Sequence, residues 1–166
     1  MKQSLEIANR IFTTEQLIHQ LNRWELLSKK VVFTNGVFDI LHLGHLTLLS
    51  QAATFSDILV VGINSDASVK KLKGNNRPIN NEHTRALLVA ALVMVDVVVI
   101  FDEETPLELI RKIKPSVLVK GGDYTISTIV GAEDVINNGG EVKIIPIEKG
   151  YSTTGIIETA KNISGE

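Results

Sequence analysis

The stretch 30-KVVFTNGVFDILHLGH-45 decides the fold, because a short β-branched run ends at Asn35-Gly36 and leads into a helix. Residues 30–34 are predicted to form a buried strand, since Val and Phe favour strands and turn residues bound the run. Residues 46–53 have helical character and follow Gly44-His45 directly. This strand and helix begin an alternation that continues along the chain.

Four more buried strands are predicted, and helix candidates lie between them. The strands are residues 58–63, 95–101, 117–119 and 142–147, and the helices are residues 82–93, 105–113, 132–137 and 153–161. Five short apolar strands separated by helices predict a five-stranded parallel sheet that is covered by helices on both faces. An amphipathic helix at residues 13–27 suggests that residues 1–28 are an N-terminal helical extension packed on a domain of residues 29–166.

The composition excludes several classes of protein. Seventeen Lys and Arg against nineteen Asp and Glu give a net charge of −2, so nucleic acid and anionic membranes are not expected partners. The absence of Cys excludes disulfides, thiolate zinc sites, iron–sulfur clusters and cysteine nucleophiles. No secretory signal pattern opens the sequence, and Asp96 interrupts its longest apolar stretch, so a cytoplasmic protein is predicted.

Ligands of parallel α/β sheets bind beyond the carboxyl ends of the strands, and two histidines lie at such a position. His42 and His45 flank Gly44 at the start of the first helix of this alternation. A helix N-terminus has free N–H groups and partial positive charge, and Gly44 lets an anion approach the backbone. Two imidazoles there can donate hydrogen bonds to a phosphate chain. They could instead only cap a turn, or bind zinc, although no third ligand follows at suitable spacing.

Two further segments could also hold phosphates. Three hydroxyl residues open the last helix, where they can cap it or bind phosphate oxygens: Ser152, Thr153 and Thr154. The basic residues between positions 70 and 77 are either a solvated surface or part of a loop over residues 70–81 that closes on a triphosphate. Under the second interpretation Lys71 and Arg85 are the predicted phosphate ligands.

A glycine-rich segment, 120-KGGDY-124, follows the fourth predicted strand. Its glycines permit a nucleobase or a sugar to approach the backbone, or they form a plain turn. Asp123 could bind sugar hydroxyls or help to place a metal ion. Asp39, just after the first strand, could orient a neighbour or a metal-bound water, or make a structural Asx turn. Neither a dinucleotide G-x-G-x-x-G fingerprint nor a Walker A motif occurs in the sequence.

The segment of residues 34–45 resembles the signature of the cytidylyltransferase-like nucleotidyltransferases, which carry H-x-G-H. Further segments make the chain similar to the adenylyltransferase domains of heptose and lipopolysaccharide biosynthesis. They are residues 77–80 with Arg85, 95–96, 101–106, 119–124 and 151–154. Those domains make ADP-heptose from ATP and D-glycero-β-D-manno-heptose 1-phosphate. The resemblance covers roughly residues 13–162.

The resemblance implies a Rossmann-like fold and a role for each matching residue. The implied catalytic residues are His42, His45 and Lys71. The implied nucleotide and phosphate ligands are Thr34, Asn35, Gly36, Phe38, Gly44, Arg85, Lys120, Gly121, Ser152, Thr153 and Thr154. Asp39 and Asp123 are the implied substrate ligands, and no residue is assigned to a metal.

The implied substrates are ATP, with Mg²⁺, and a sugar 1-phosphate. A sugar phosphate already carries an ionised nucleophile, so the protein only has to position it and stabilise developing charge. Many relatives are fused to a sugar kinase, for which this chain is too short, so a separate protein is expected to supply the kinase step. A homodimer is one predicted assembly.

Two groups of alternatives remain from sequence. Within the same class of enzyme, the substrates could be CTP and glycerol 3-phosphate, or ATP and FMN. From a different class, the chain could be a non-catalytic nucleotide sensor that keeps the pocket.

Overall fold

The central sheet of the described residues has six parallel strands, whereas the sequence predicted five. The computed structural model describes residues 6–146 and 150–163. The strands are β1 (Ile11–Phe12), β2 (Val31–Gly36), β3 (Ile58–Asn64), β4 (Val97–Phe101), β5 (Val117–Gly121) and β6 (Glu141–Ile145). The additional strand is β1, whose two residues pair in parallel with Val98 and Val99 of β4. Two residues are too few to show a strand periodicity in the sequence.

Seven α-helices connect or flank the strands in the part of the chain that the structure describes. They are α1 (Thr14–Leu26), α2 (Leu43–Ala53), α3 (Asp66–Lys73), α4 (Glu82–Ala90), α5 (Leu107–Ile113), α6 (Ala132–Asn137) and α7 (Thr153–Ile163). Short 3-10 helices cover Ile7–Arg10 and Ile126–Thr128. Over residues 6–146 and 150–163, no helix has the length and apolarity needed to cross a membrane. Residues 147–149, which were predicted to end the last strand and open the last loop, lie outside the described residues.

The strand order, β1-β4-β3-β2-β5-β6, places β2 at the centre of the sheet. From β2 the chain crosses to β3 on one side, and from β5 it crosses to β6 on the other side. β2 and β5 are neighbours, with Val32 beside Val117 and Phe33 beside Leu118. Because successive connections leave these two strands in opposite directions, a crevice forms beyond their carboxyl ends, where ligands bind in open α/β sheets.

The sheet separates two apolar clusters, which confirms the prediction of helices on both faces. On one face Phe33 and Leu118 pack with α1, α5 and α6. On the other face Val32 and Val119 pack with α2 and α4. Strand side chains alternate between the faces, so each residue at a strand end points to one side of the sheet or the other.

The N-terminal segment contributes a strand as well as the predicted helix. Thr13 caps α1 through a capping box with Gln16, and Leu17 and Trp24 of that helix are buried against the sheet. Arg10 donates to the carbonyl of Val95 at 3.0 Å, next to the β1 pairing. The division of the chain at residue 28 stays a prediction.

Residues 70–81 are not one long loop, because α3 continues to Lys73. The hydroxyl of Ser65 caps this helix by accepting from the backbone N–H of Ser68 at 3.2 Å. Lys70, Lys71 and Lys73 occupy its last turn, where the helix dipole favours positive charge. The loop proper begins at Gly74, which has a φ of 89°.

A buried carboxylate fixes the rest of that loop. Asp39 is 2% exposed and accepts hydrogen bonds from the backbone N–H groups of Ile79, at 2.9 Å, and Asn80, at 2.8 Å. Arg77 pairs with the same carboxylate at 2.9 Å. The amide of Asn80 in turn donates to the carbonyl of Asp39 at 2.7 Å. These bonds tie the loop before α4 to the loop after β2.

The guanidinium of Arg85, which is 0% exposed, joins the same two loops and α3. Its Nε donates to the carbonyl of Asn80 at 3.0 Å, and Nη1 donates to the carbonyl of Val37 at 2.7 Å. Its Nη2 pairs with Asp66 at 2.8 Å. Arg85 therefore uses three of its five N–H donors to hold two backbone carbonyls and the carboxylate of Asp66 in place.

Replacing Arg85 should destabilise the fold far more than replacing an exposed arginine that also has two acidic partners. Arg85→Met leaves two carbonyls and Asp66 without their buried partner, which should lower the free energy of unfolding by about 3–5 kcal/mol. Arg111→Met, whose side chain is exposed beside Glu108 and Asp134, should cost less than about 1 kcal/mol. Urea unfolding of both variants measures the difference, and equal losses would contradict this role of Arg85.

Candidate active site

The amino end of α2 carries the histidine pair. His42 is the N-cap residue, its side chain makes no capping hydrogen bond, and the helix begins at Leu43. The rings of His42 and His45 stack with centroids 3.8 Å apart and planes 23° from parallel. A Cβ on Gly44 would lie 3.1 Å from Cε1 of His42, so glycine leaves room for the ring. The capping alternative therefore does not account for the position of His42.

Burial keeps both imidazoles neutral near pH 7. The pKa of His45 is lowered to about 4, chiefly by burial, then by the charge that His42 carries when it is protonated and by the charge of Lys73, against a weaker opposing backbone interaction with Ile40. Burial also lowers the pKa of His42. Nδ1 of His42 is buried and has no hydrogen-bond partner among the described residues. Each neutral ring offers one N–H donor to a ligand.

The ring of Phe38 packs against that of His45. Phe38 is 2% exposed, has a φ of 48°, and its ring centroid lies 5.1 Å from that of His45. A Cβ on Gly36 would come within 3.1 Å of this ring, so the glycine at the end of β2 allows the turn to fold back. Phe38 was predicted to bind the nucleotide, whereas the structure buries its side chain in the core.

The histidine pair opens into a cleft of about 310 Å³. Seven of the predicted site residues line it: His42, Gly44, His45, Gly121, Ser152, Thr153 and Thr154. Leu48, Lys73, Ile145, Pro146 and Tyr151 complete the lining. Ser152 caps α7, since its Oγ accepts from the backbone N–H of Gly155 at 3.0 Å. The amino ends of α2 and α7 therefore meet at one cleft.

The lysine that reaches this cleft is Lys73. It lies one helical turn after the buried Val69 and thus on the same side of α3, whereas Lys71 does not line the cleft. Burial and the charge of Arg77 lower the pKa of Lys73, while Asp39 acts in the opposite direction. The helical spacing from Val69 is the sequence signal that would have selected Lys73.

The other predicted site residues do not line the cleft. Arg85 and Asp39 are buried in the loop network described above, and Asp123 is exposed outside the cleft. Thr34 is fully buried, with its Oγ1 unpaired among the described residues. Asn35 accepts a hydrogen bond from Nζ of Lys120, whose pKa is lowered to about 8 by burial.

A protein-held metal site is not formed by the side chains described. Over residues 6–146 and 150–163, no group of three His, Cys, Asp or Glu side chains is placed to bind an ion. The zinc alternative for His42 and His45 therefore finds no third ligand in that part of the chain.

The chain is similar to known proteins over most of its length. The Cytidylyltransferase-like family model matches residues 33–159. The "Bifunctional protein HldE" of Koribacter versatilis is 56% identical over 149 residues, which are 90% of this chain and 31% of that protein. The chain thus spans about a third of the length of this relative.

Two solved structures are also similar. The "lipopolysaccharide core biosynthesis protein" of Thermoplasma volcanium is 32% identical, with a TM-score of 0.58, over 75% of this chain and 99% of that one. Pantothenate synthetase from Thermus thermophilus shares the fold at 20% identity and a TM-score of 0.62, over 92% of this chain and 70% of that one. The chain belongs to the cytidylyltransferase-like family and is a nucleotidyltransferase.

Proposed function

We propose that this enzyme transfers AMP from ATP to D-glycero-β-D-manno-heptose 1-phosphate, giving ADP-heptose and pyrophosphate for lipopolysaccharide synthesis. The observation that carries the proposal is the pair of neutral histidines at the amino end of α2, facing Ser152–Thr154 across one cleft. The motif resemblance supports the choice of substrates. So does the similarity to a protein of lipopolysaccharide core biosynthesis.

The proposed reaction is a single displacement at phosphorus. An oxygen of the sugar phosphate attacks the α-phosphorus of ATP and forms a new P–O bond. The bond between the α-phosphorus and the α,β-bridging oxygen breaks, and pyrophosphate leaves with its electron pair. The acceptor is ionised at neutral pH, so no side chain has to remove a proton.

The residues of the cleft suit stabilisation of the charge that this reaction develops. Neutral His42 and His45 donate N–H groups without requiring a counter-ion, and the amino ends of α2 and α7 add backbone donors. Lys73 adds a positive charge at the cleft, and the hydroxyls of Thr153 and Thr154 add further donors. The proposed nucleotide substrate is the Mg²⁺ complex of ATP, in which the phosphates hold the ion.

Three predictions about the surroundings of the enzyme stay predictions. They are a cytoplasmic location, a homodimer, and a sugar kinase reaction supplied by a separate protein.

A substrate screen tests the proposed function. Wild-type enzyme should release pyrophosphate from ATP and Mg²⁺ only when heptose 1-phosphate is present. The two alternative substrate pairs, CTP with glycerol 3-phosphate and ATP with FMN, are assayed in parallel at the same concentrations. Faster release in either arm would replace the proposed substrates, and no release in any arm would favour a nucleotide sensor.

The histidine pair should report directly on ATP binding. In the free enzyme we expect His45 to titrate near pH 4, and we expect its pKa to rise when ATP is added, because the triphosphate favours the imidazolium. Proton NMR of the imidazole Cε1–H signals measures both values. The exposed His19 and His83 lie outside the cleft and serve as controls whose signals should not move with ATP. An unchanged His45 pKa at saturating ATP would exclude contact with the triphosphate.

The same shift predicts a pH dependence of stability. The folded pKa of His45 lies below the value of about 6.5 for an unfolded chain, so the unfolded state binds more protons between these values. The part of the free energy of unfolding that depends on a neutral His45 is therefore present above pH 6.5 and is lost as the pH falls toward 4. His45→Asn should therefore lose less stability than wild type between pH 6.5 and 4, as measured by urea unfolding. Parallel curves would contradict the burial of a neutral His45.

Lys73 and Lys71 form a matched pair of substitutions on one helix. Lys73→Met should raise the KM for ATP by about tenfold or more, because a charged donor to a phosphate is lost. Lys71→Met, two residues away and exposed, should change it by less than about twofold. Initial rates at varied ATP measure both, with melting temperatures as the check on folding. The opposite order would restore the sequence-based assignment of Lys71.

A further inference from the structure

A second cavity lies on the other face of the sheet, beside the cleft. Gly121 and Lys120 are consecutive residues of β5, so they face opposite sides of the sheet. Gly121 lines the histidine cleft, whereas Lys120 lines a cavity of about 170 Å³. The polar side chains that line this second cavity with Lys120 are Glu104, Thr105, Tyr124 and Thr128. Each cavity is therefore lined by a residue at the carboxyl end of β5, on opposite faces of the sheet.

The positive charge of the Lys120 ammonium group is not balanced by a carboxylate partner among the described residues. It has three N–H donors, and the acceptor that the described residues give it is the neutral Oδ1 of Asn35. No ion pair is formed with Lys120 in the part of the chain that the structure describes. Burial lowers its pKa to about 8, with no acidic group opposing that shift. A partly buried positive charge with free donors is a strong site for an anion.

The rest of this cavity suits a polyhydroxylated ring. The carboxylate of Glu104 is exposed and can accept hydrogen bonds from ligand hydroxyls. The hydroxyls of Thr105 and Tyr124 can donate or accept. Pro106 and Ile129 provide an apolar wall, and the Tyr124 ring is 51% exposed and available to cover a sugar face. A carboxylate, hydroxyls and an aromatic ring around one cation fit a sugar that carries a phosphate.

We propose that this second cavity is the acceptor site, in which Lys120 binds the phosphate of the sugar 1-phosphate and the side chains around it bind the sugar. The proposal rests on the proposed function, and it assigns Lys120 to the acceptor instead of the nucleotide. The volume of the second cavity is about half that of the histidine cleft, which suits the sugar 1-phosphate as the smaller of the two substrates. Asn35 is a positioning residue that aims the ammonium group.

This arrangement also explains how the two substrates reach each other. ATP would lie on the face of the sheet that carries α2 and α7, and the acceptor on the face that carries α5. Because consecutive residues at the carboxyl end of β5 line the two cavities, the acceptor phosphate would attack across the end of that strand. The group transfer is the displacement described above, with Lys120 holding the nucleophile.

The test separates the two substrates kinetically. Lys120→Met should raise the KM for the sugar 1-phosphate by about tenfold or more, because a charge-assisted hydrogen bond is lost. The KM for ATP should stay within about twofold. Lys112→Met, an exposed lysine of α5 that lies outside both cavities, is the matched control and should leave both constants unchanged. A rise in the KM for ATP, or no change in either constant, would overturn the proposal.

A second variant guards against an effect of Lys120→Met on folding. Glu104→Gln changes an exposed carboxylate and should raise the KM for the sugar 1-phosphate with little change in that for ATP or in melting temperature. If both variants leave the KM of the acceptor unchanged, the cavity is not the acceptor site.

The acceptor used is whichever phosphate ester supports pyrophosphate release in the substrate screen. If CTP and glycerol 3-phosphate are the active pair, the proposed function fails and the Lys120 experiment still decides the acceptor site. If wild type releases no pyrophosphate with any pair, both proposals are wrong.

Discussion

The carboxylate of Asp39 fixes the loops on which the cleft depends. It lies between the end of β2 and the start of α2, and it accepts from the backbone of Ile79 and Asn80 while pairing with Arg77. Arg85 ties the same loops from the other side by donating to the carbonyls of Val37 and Asn80. A buried carboxylate without these partners would carry a large desolvation cost, so the loops and the carboxylate hold each other in place.

The histidine pair shows why this rigidity matters. Two stacked imidazoles 3.8 Å apart would repel strongly if both were charged, and burial beside Phe38 keeps them neutral in the free enzyme. Neutral donors fixed at a helix N-terminus need no reorganisation when charge develops on a phosphate, which is the condition for electrostatic stabilisation of a transition state. If the loop after β2 were less rigid, the rings of His42 and His45 would not be held in that geometry.

Much of this site could be predicted from sequence, because its main segments lie at strand ends that one sheet edge brings together. His42, Gly44, His45 and Ser152–Thr154 are such residues, and the structure places them in one cleft. The contacts of single side chains could not be predicted in the same way. Arg85 was interpreted as a phosphate ligand. In the structure it donates to the carbonyls of Val37 and Asn80, and nothing in a sequence shows these contacts.

Two further differences have equally local causes. The strand Ile11–Phe12 is too short to show alternation, and it extends the sheet by pairing with β4 at its edge. The role of Lys71 stays a prediction; it was made for a segment interpreted as a loop, in which Lys71 and Lys73 are equivalent. On a helix they are not, and the cap at Ser65 is the signal that distinguishes the two cases.

Two consecutive residues at the end of β5 differ in what they provide: Gly121 leaves space on one face of the sheet, and Lys120 places a positive charge on the other. On the α2 face, a Cβ at position 121 would lie 3.2 Å from Cδ1 of Leu48, so glycine lets α2 approach the strand and keeps the cleft open. On the α5 face, the next residue back carries a long cationic side chain whose charge is left for a ligand to neutralise. Because strand side chains alternate, one strand end places free space on one face of the sheet and a positive charge on the other, as the two proposed substrate sites require. The proposed displacement between two phosphorylated substrates would need both, since the nucleotide has to fit closely while the repulsion between the two anions is offset.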